Sequence, residues 1–195
     1  MTAVEEVMNR LGRAAAQAYY GEPVTQLDHA LQTAQLARDA NADNETVIAA
    51  LLHDIGHLLD DGRLHEQLGV VDHDTHGAAW LAVRGFSPRV VELVQGHVEA
   101  KRYLVATNPE YRARLSAASV QTLELQGGAM SADEAREFAA DPLLKEKLRL
   151  RSWDEQAKVP GASAAPLESY RELLVRHLAL EDGASRPAGV RRDAE

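Results

Sequence analysis

The run Val47-Ile48-Ala49-Ala50-Leu51-Leu52-His53-Asp54-Ile55 constrains this chain more than any other stretch. It is apolar around most of a helical circumference, the pattern of a helix surrounded by others rather than one lying on a surface. With Asp43-Asn44 as its cap, the spacing predicts a central helix over about residues 45–59. His53 and Asp54 fall inside the apolar run, where an unpartnered imidazole or carboxylate is costly. His57 follows four residues after His53, on the same side of that helix. A His-Asp pair so placed can serve metal ions, the carboxylate oxygens reaching two while the imidazole takes one. The dipeptide is common by chance, so the rest of the chain must supply convergent ligands.

That remainder reads as helix throughout. Val4, Val7, Met8, Leu11 and Ala15 recur at helical spacing, and Gly21 and Pro23 end the first helix. Thr25, with Asp28 three residues on, opens a helix to about residue 40 in which His29 lies beside the apolar stripe. Asp60-Asp61-Gly62 ends the central helix, and 60–72 is expected to be a loop containing His65 and Glu66. His73-Asp74-Thr75-His76 opens the next helix, to about Arg84. Ser87-Pro88 starts another, bearing His97 and, one turn later, Lys101. Asn108-Pro109 starts a helix that continues through Ser119 to Gln126 and stops at Gly127-Gly128. Ser131 with Glu134 opens a short helix, and Asp141-Pro142 opens one carrying Arg151, Trp153 and Asp154, with Lys158 on the same face. After a Pro/Gly/Ala/Ser linker at 159–166, Leu167, Tyr170, Leu174 and Leu178 mark a last helix. No strand-like alternation, internal repeat or glycine-rich phosphate loop is present. The expectation is an all-α fold of eight to nine helices, one domain over 1–182 with a metal-binding core at about 19–158, and a disordered tail at 183–195.

Composition narrows the chemistry. A net charge of −9 argues against a nucleic-acid surface. The absence of cysteine removes thiolate ligands, thiol nucleophiles and disulfides, and makes the cytoplasm the expected compartment. A metal here must be held by imidazole and carboxylate, which suits iron, manganese or zinc. No apolar run approaches the roughly 20 residues needed to span a membrane, and the acidic start Met1-Thr2-Ala3-Val4-Glu5-Glu6 does not read as a signal peptide.

Seven of the eight histidines fall between positions 29 and 97. His29, His53-Asp54, His73, His97 and Asp154 put one candidate ligand position on each of five predicted helices. His29…His53-Asp54…Asp154 resembles the signature of the HD-domain superfamily, all-helical metalloproteins that are mostly phosphohydrolases, and His73 and His97 resemble the additional ligands of its two-metal members. The resemblance implies that His29, His53, Asp54 and Asp154 hold one metal, and that Asp54, His73 and His97 hold a second.

Four further segments are similar to one branch of that superfamily, the HD-domain phosphonate oxygenases. They are Tyr19-Tyr20-Gly21-Glu22-Pro23-Val24-Thr25-Gln26-Leu27, Gly96-His97-Val98-Glu99-Ala100-Lys101-Arg102-Tyr103-Leu104, Leu123-Glu124-Leu125-Gln126-Gly127-Gly128 and Arg151-Ser152-Trp153-Asp154-Glu155-Gln156-Ala157-Lys158. That resemblance implies a mixed-valent pair of iron ions (Fe2+/Fe3+), a small organophosphonate substrate, and O2-dependent cleavage of a C–P bond. It implies that Tyr19 occupies an iron until substrate arrives, with Glu22 beside it, and that His57, Lys101, Ser119 and Arg151 bind substrate, Glu22 facing an ammonium end. The expected substrate is 2-amino-1-hydroxyethylphosphonate or (1-hydroxy-2-(trimethylammonio)ethyl)phosphonate, giving glycine or glycine betaine plus phosphate. A trimethylammonium group would call for an aromatic cage, for which Tyr19, Tyr20, Tyr103 and Trp80 are available. The competing readings are a metal-dependent HD phosphohydrolase acting on a nucleotide or other phosphate ester, which has no need of Tyr19 and Glu22, and a non-catalytic helical sensor, which has no need of six ligands. His65 and His76 receive no role. Lys101 also reads as a solvated helix lysine, and Asp154 with Lys158 as an ordinary helix ion pair.

Overall fold

Short polar side chains write most of the helix starts. The computed structural model describes residues 1–19, 21–59, 63–65 and 69–184, with backbone alone for 63–65, 69–71 and 182–184. Within these, Thr2 caps α1 (Ala3–Arg13) in a capping box with Glu5. Thr25 does the same for α2 (Gln26–Asp39) with Asp28, and Asp43 accepts from the Thr46 N–H at the start of α3 (Asn44–Leu52). α4 is His73–Ala82. Ser87 and Pro88 open α5 (Pro88–Thr107), whose 20 residues make it about 30 Å long. Asn108 caps α6 (Pro109–Arg114), Ser116 caps α7 (Ala117–Leu125), and Ser131 with Glu134 boxes α8 (Ala132–Phe138). α9 is Leu144–Gln156 and α10 is Arg171–Ala184. Three short 3₁₀ turns, Ala14–Ala16, Ile55–Leu58 and Leu167–Tyr170, join them.

α3 is the central helix, packed against α2, α5 and α9. Val47, Ile48, Ala49, Ala50, Leu51 and Leu52 are all buried, in one apolar cluster that draws from Val4 on α1 to Leu174 on α10. Each fully buried leucine or isoleucine side chain contributes about 1.5–3 kcal/mol. Small residues set the spacing around this core. A Cβ on Gly96 would lie 2.6 Å from the Lys147 stem, so glycine lets α9 close against α5 immediately beside His97.

The described residues depart from the expected elements in three places. The helix expected over 45–59 stops at Leu52, and Asp54 adopts φ −100°, ψ 12° before a 3₁₀ turn takes over. The cause is tertiary: a Cβ on Gly56 would stand 1.9 Å from the carbonyl oxygen of His73, so the chain folds back under the start of α4. The helix expected over 109–126 is two, because Ser116 turns its hydroxyl to the Ser119 N–H at 3.1 Å and starts anew. Within the loop expected at 60–72, Arg63–His65 and Gly69–Val71 pair as an antiparallel hairpin, β1 and β2. Three-residue strands are too short for alternation to register in sequence. Ten α-helices therefore replace the eight or nine expected. Of the disordered tail expected at 183–195, Gly183 and Ala184 instead end α10, and 185–195 lie outside the described residues, as do Tyr20, Asp60-Asp61-Gly62 and Glu66.

Candidate metal centre

Five elements deliver the six candidate ligand side chains to one point in the core. His29 comes from the first turns of α2, His53 and Asp54 from the break after α3, His73 from the first residue of α4, His97 from the middle of α5, and Asp154 from the last turns of α9. All six are buried. His29 Nε2 lies 3.1 Å from His53 Nε2 and 3.3 Å from Asp154 Oδ1. Asp54 Oδ2 joins them, 3.5 Å from His29 Nε2 and 3.3 Å from His53 Nε2. The other oxygen of the same carboxylate, Asp54 Oδ1, lies 3.3 Å from His73 Nε2 and 3.4 Å from His97 Nε2, and those two nitrogens are 3.0 Å apart. Two donors each ~2.1 Å from one ion and ~90° apart lie ~3 Å from each other, so both spacings are those of shared ligands.

The proton inventory points the same way. His29 Nδ1 is 2.8 Å from the Ala157 carbonyl, His53 Nδ1 2.9 Å from that of Ala50, and His97 Nδ1 2.6 Å from that of Val94. A carbonyl only accepts, so each Nδ1 carries a proton, and in its neutral form each ring would turn a bare Nε2 lone pair inward. Carbonyl-anchored imidazoles of this kind are the usual surroundings of a metal-binding histidine. Asp54 Oδ2 and Asp154 Oδ1 are buried with no hydrogen-bond partner. Lone pairs facing lone pairs and orphan carboxylate oxygens need a cation between them. The electrostatics register that demand: burial pulls the His53 imidazole down, yet Asp54 and then Asp154 outweigh it and carry it up to about 9. Burial also opposes the charge on Asp54 and Asp154, but His53 holds the first, and Arg151 then His29 the second, well below the usual carboxylate range. The residues present fit two metal ions, with Asp54 between them.

The backbone turns that aim these ligands are identifiable. The helix ends at Leu52, and Asp54, at φ −100°, ψ 12°, directs one carboxylate oxygen toward each pair of histidines. Asp72 takes a left-handed backbone, φ 59°, and so swings His73 into position at the head of α4. Arg151 donates through Nη1 to Asp154 Oδ2 and so holds the oxygen turned away from His29.

A cavity of about 60 Å³ opens beside Asp54, His73 and His97 and reaches Asp154. Tyr19, His57, Lys101, Ser119 and Arg151 also line it. Tyr19 stacks on His29, ring centres 4.0 Å apart and planes 14° apart, and burial, then the charges of Asp54 and Asp154, push its hydroxyl well above the usual phenol value. His57 stacks on His73 at 3.9 Å, and burial pushes it well below the usual imidazole value. It also lies close enough to Asp54 and His73 to complete a three-residue ligand group. Lys101 is buried, donates to Thr122 Oγ1 at 2.9 Å, and is brought down to about 7 by burial and by Arg151. Arg151 is heavily engaged, with Nε on the Tyr111 hydroxyl at 2.7 Å and Nη2 on Glu155. Glu22 lines a smaller adjoining pocket together with Tyr19, His57 and Ser119, and its carboxylate binds Ser116 and Lys158. Lys158 pairs with Glu22 and Glu155, not with Asp154. Of the aromatics available for a cage, Trp80 lies beneath Arg84, 3.7 Å from guanidinium carbon to ring centre, and Tyr103 lies against Phe138 at 5.3 Å. Neither lines the cavity.

Sequence reasoning missed Tyr111 and Glu155, which hold Arg151, and Gln126, whose buried Oε1 has no partner at the cavity wall. Glu155 was detectable as the neighbour of Asp154; nothing local distinguishes Tyr111 from a core aromatic.

The model of the HD domain family matches residues 27–141, which contain His29, His53, Asp54, His73 and His97 but not Asp154. Over most of its length the chain is similar to three proteins. An uncharacterized protein of Acanthamoeba polyphaga mimivirus is 39% identical, covering 90% of this chain and 81% of its own. The hydroxymethylphosphonate dioxygenase of Gimesia maris is 42% identical, covering 87% and 84%. The glycine-betaine-forming [1-hydroxy-2-(trimethylamino)ethyl]phosphonate dioxygenase of Leisingera caerulea is 40% identical, covering 80% of each. The chain belongs to the HD-domain family, as a homologue of its phosphonate dioxygenases.

Proposed function

We propose that this protein is a diiron oxygenase that cleaves the C–P bond of a small 1-hydroxyphosphonate with O2. The observation that carries the reading is the carboxylate of Asp54 shared between two ligand sets, beside a cavity walled by buried cations. Two relatives named as phosphonate dioxygenases support it. The overall change is R–CH(OH)–PO3(2−) + O2 → R–COO(−) + HPO4(2−) + H(+): the C–P bond breaks, carbon gains one oxygen, phosphorus gains another, and O2 takes four electrons. His29, His53, Asp54 and Asp154 would hold one iron, and Asp54, His73 and His97 the other; a ferrous–ferric pair supplies O2 activation and the redox steps when bound.

The chain's own side chains supply the rest. Lys101 donates a charge-assisted hydrogen bond to the phosphonate, which restores its proton as the anion enters. His57, kept neutral by burial, offers an N–H without adding charge. Ser119 and the remaining Arg151 N–H complete the anion's donors. Tyr19 fills the cavity over His29 until substrate takes its place, and so excludes water from the centre. The small cavity favours a compact phosphonate over a nucleotide. The absence of a second aromatic from the cavity wall, among the described residues, weighs against a trimethylammonium cage.

The test is to load the protein with iron under reducing conditions and supply hydroxymethylphosphonate, 2-amino-1-hydroxyethylphosphonate and its trimethylammonio analogue in turn. Oxygen uptake matched by phosphate release from any of them is the expected result. Phosphate release from nucleotides without oxygen uptake, with all three phosphonates untouched, would sink the reading in favour of a phosphohydrolase.

A further inference from the structure

The segment carrying Tyr19 is a small closed turn. Ala18 bridges Thr25, the Tyr19 N–H donates to the Val24 carbonyl at 2.9 Å, the Glu22 N–H to that of Tyr19 at 3.0 Å, and the Gln26 N–H to that of Gln17 at 2.9 Å. Gln17, Ala18, Gly21 and Pro23 are exposed. What ties the turn to the body of the protein is polar and comes from far along the chain. Glu22 Oε1 accepts from Ser116 Oγ at 2.5 Å and from Lys158 Nζ at 3.1 Å. Gly21, at φ +72°, sits so close to α7 that a Cβ there would be 2.9 Å from that of Ala118.

Lys158 is the hub. Its Nζ also reaches Glu155 Oε1 at 3.1 Å, Ser119 Oγ at 3.0 Å and Ser116 Oγ at 3.3 Å. The Lys158 and Glu22 side chains are only 11% and 9% exposed, so their attraction is poorly screened and neither has water to replace the other. Through Glu155 the same lysine joins Arg151, which grips Asp154. One ammonium thus connects the turn bearing Tyr19, the start of α7 and the end of the helix bearing a metal ligand.

We propose that Lys158 is a positioning residue and a latch: by binding Glu22 together with Ser116, it holds Glu22 against the body of the protein and, through the Glu22–Tyr19 backbone hydrogen bond, keeps Tyr19 over His29 in the substrate-free protein. This rests on the reading of Tyr19 as the group that substrate displaces. Substrate entry then requires the latch to yield, and the apparent affinity for substrate is reduced by the fraction of molecules in which the turn is closed.

The latch is tested first without metal. In Lys158→Met the amides of Tyr19, Glu22 and Gln26 should exchange with deuterium about 10-fold faster or more, while those of α3 and α5 keep their protection. Lys158→Arg should restore slow exchange, and Ser116→Ala should reproduce the loosening in a chain that keeps every charge. In the iron-loaded protein, Lys158→Met should lower the phosphonate KM several-fold while kcat moves less, and should weaken the tyrosinate–iron charge-transfer absorption of the resting form. A merely structural loss would raise KM. Unchanged exchange in both Lys158→Met and Ser116→Ala, or a KM that rises, overturns the latch. Faster exchange in a protein that lacks any tyrosinate–iron absorption upholds the latch and removes instead the reading of Tyr19 at the metal.

Discussion

The two ends of the Asp54 carboxylate face differently built half-sites. On the Oδ2 side, His29, His53 and Asp154 crowd around one point, two of the rings anchored on carbonyls and Asp154 held from behind by Arg151. On the Oδ1 side stand His73 and His97, and this half opens on the cavity, which Asp154 also lines, with His57 stacked on His73 and Lys101 beyond. With His57 assigned to substrate rather than metal, the proposed ligand supply is unequal: four donors against three, with the bridging group counted in both. On the proposed assignment, the half with fewer donors and an adjoining cavity would have coordination positions to offer a substrate, while the half with more would retain its ion. Tyr19 lines that same cavity while stacking on His29 of the other half, so one ring touches both sides of the carboxylate's surroundings.

Four experiments would break or sharpen that contrast. Asp54→Ala removes the group common to both halves; activity should fall by more than about 10³-fold, and metal analysis should show both ions depleted. If two ions remain, Asp54 is no bridge. Next in size, His29→Ala and His97→Ala should each cost one ion, yet unequally in stability: losing an ion from the four-donor half should lower Tm further, with each kcal/mol amounting to about 2–4 °C in a chain of this size. Equal shifts would erase the distinction. Arg151→Gln leaves Asp154 as a buried charge without its guanidinium, at a cost of about 3–5 kcal/mol. Its mark should be a selectively leaky closed half, seen as one ion lost to a chelator while the other stays. The smallest effect concerns Lys101, brought down to about 7 by burial and Arg151. Below that value it is an ammonium and attracts the phosphonate; above it the group is neutral and the attraction fades, so KM should rise as pH climbs through 7, by up to about 10-fold per unit. Lys101→Arg, charged throughout, should flatten the profile; a wild-type KM flat between pH 6 and 8 would exclude Lys101 from anion binding.

The helices were legible because their starts are local chemistry. Thr25 with Asp28, Ser87-Pro88 and Ser131 with Glu134 each satisfy exposed N–H groups within four residues, so sequence alone carries the signal. The ligand residues were legible for a different reason: an imidazole or carboxylate beside an apolar stripe is expensive, and five such positions on five elements are hard to excuse otherwise. The break after Leu52 was hidden because it is imposed by the His73 carbonyl pressing on Gly56, a contact between residues 17 apart in sequence that no local pattern encodes. The missed hub at Lys158 has the same origin. Its spacing from Asp154 suggests a helix pair, and only tertiary packing hands it to Glu22, on a turn at the other end of the domain.

The order of the ligands along the chain sets a timetable. Every donor of the open half, Asp54, His73 and His97, has been made once α5 is complete, whereas the closed half waits for Asp154, 57 positions after His97. At ~5–20 residues per second that is a delay of roughly 3–11 seconds. If these residues hold two ions as proposed, the exposed half would have its full ligand set during synthesis while its neighbour still lacked one, and the more enclosed ion would be the last to gain its ligands.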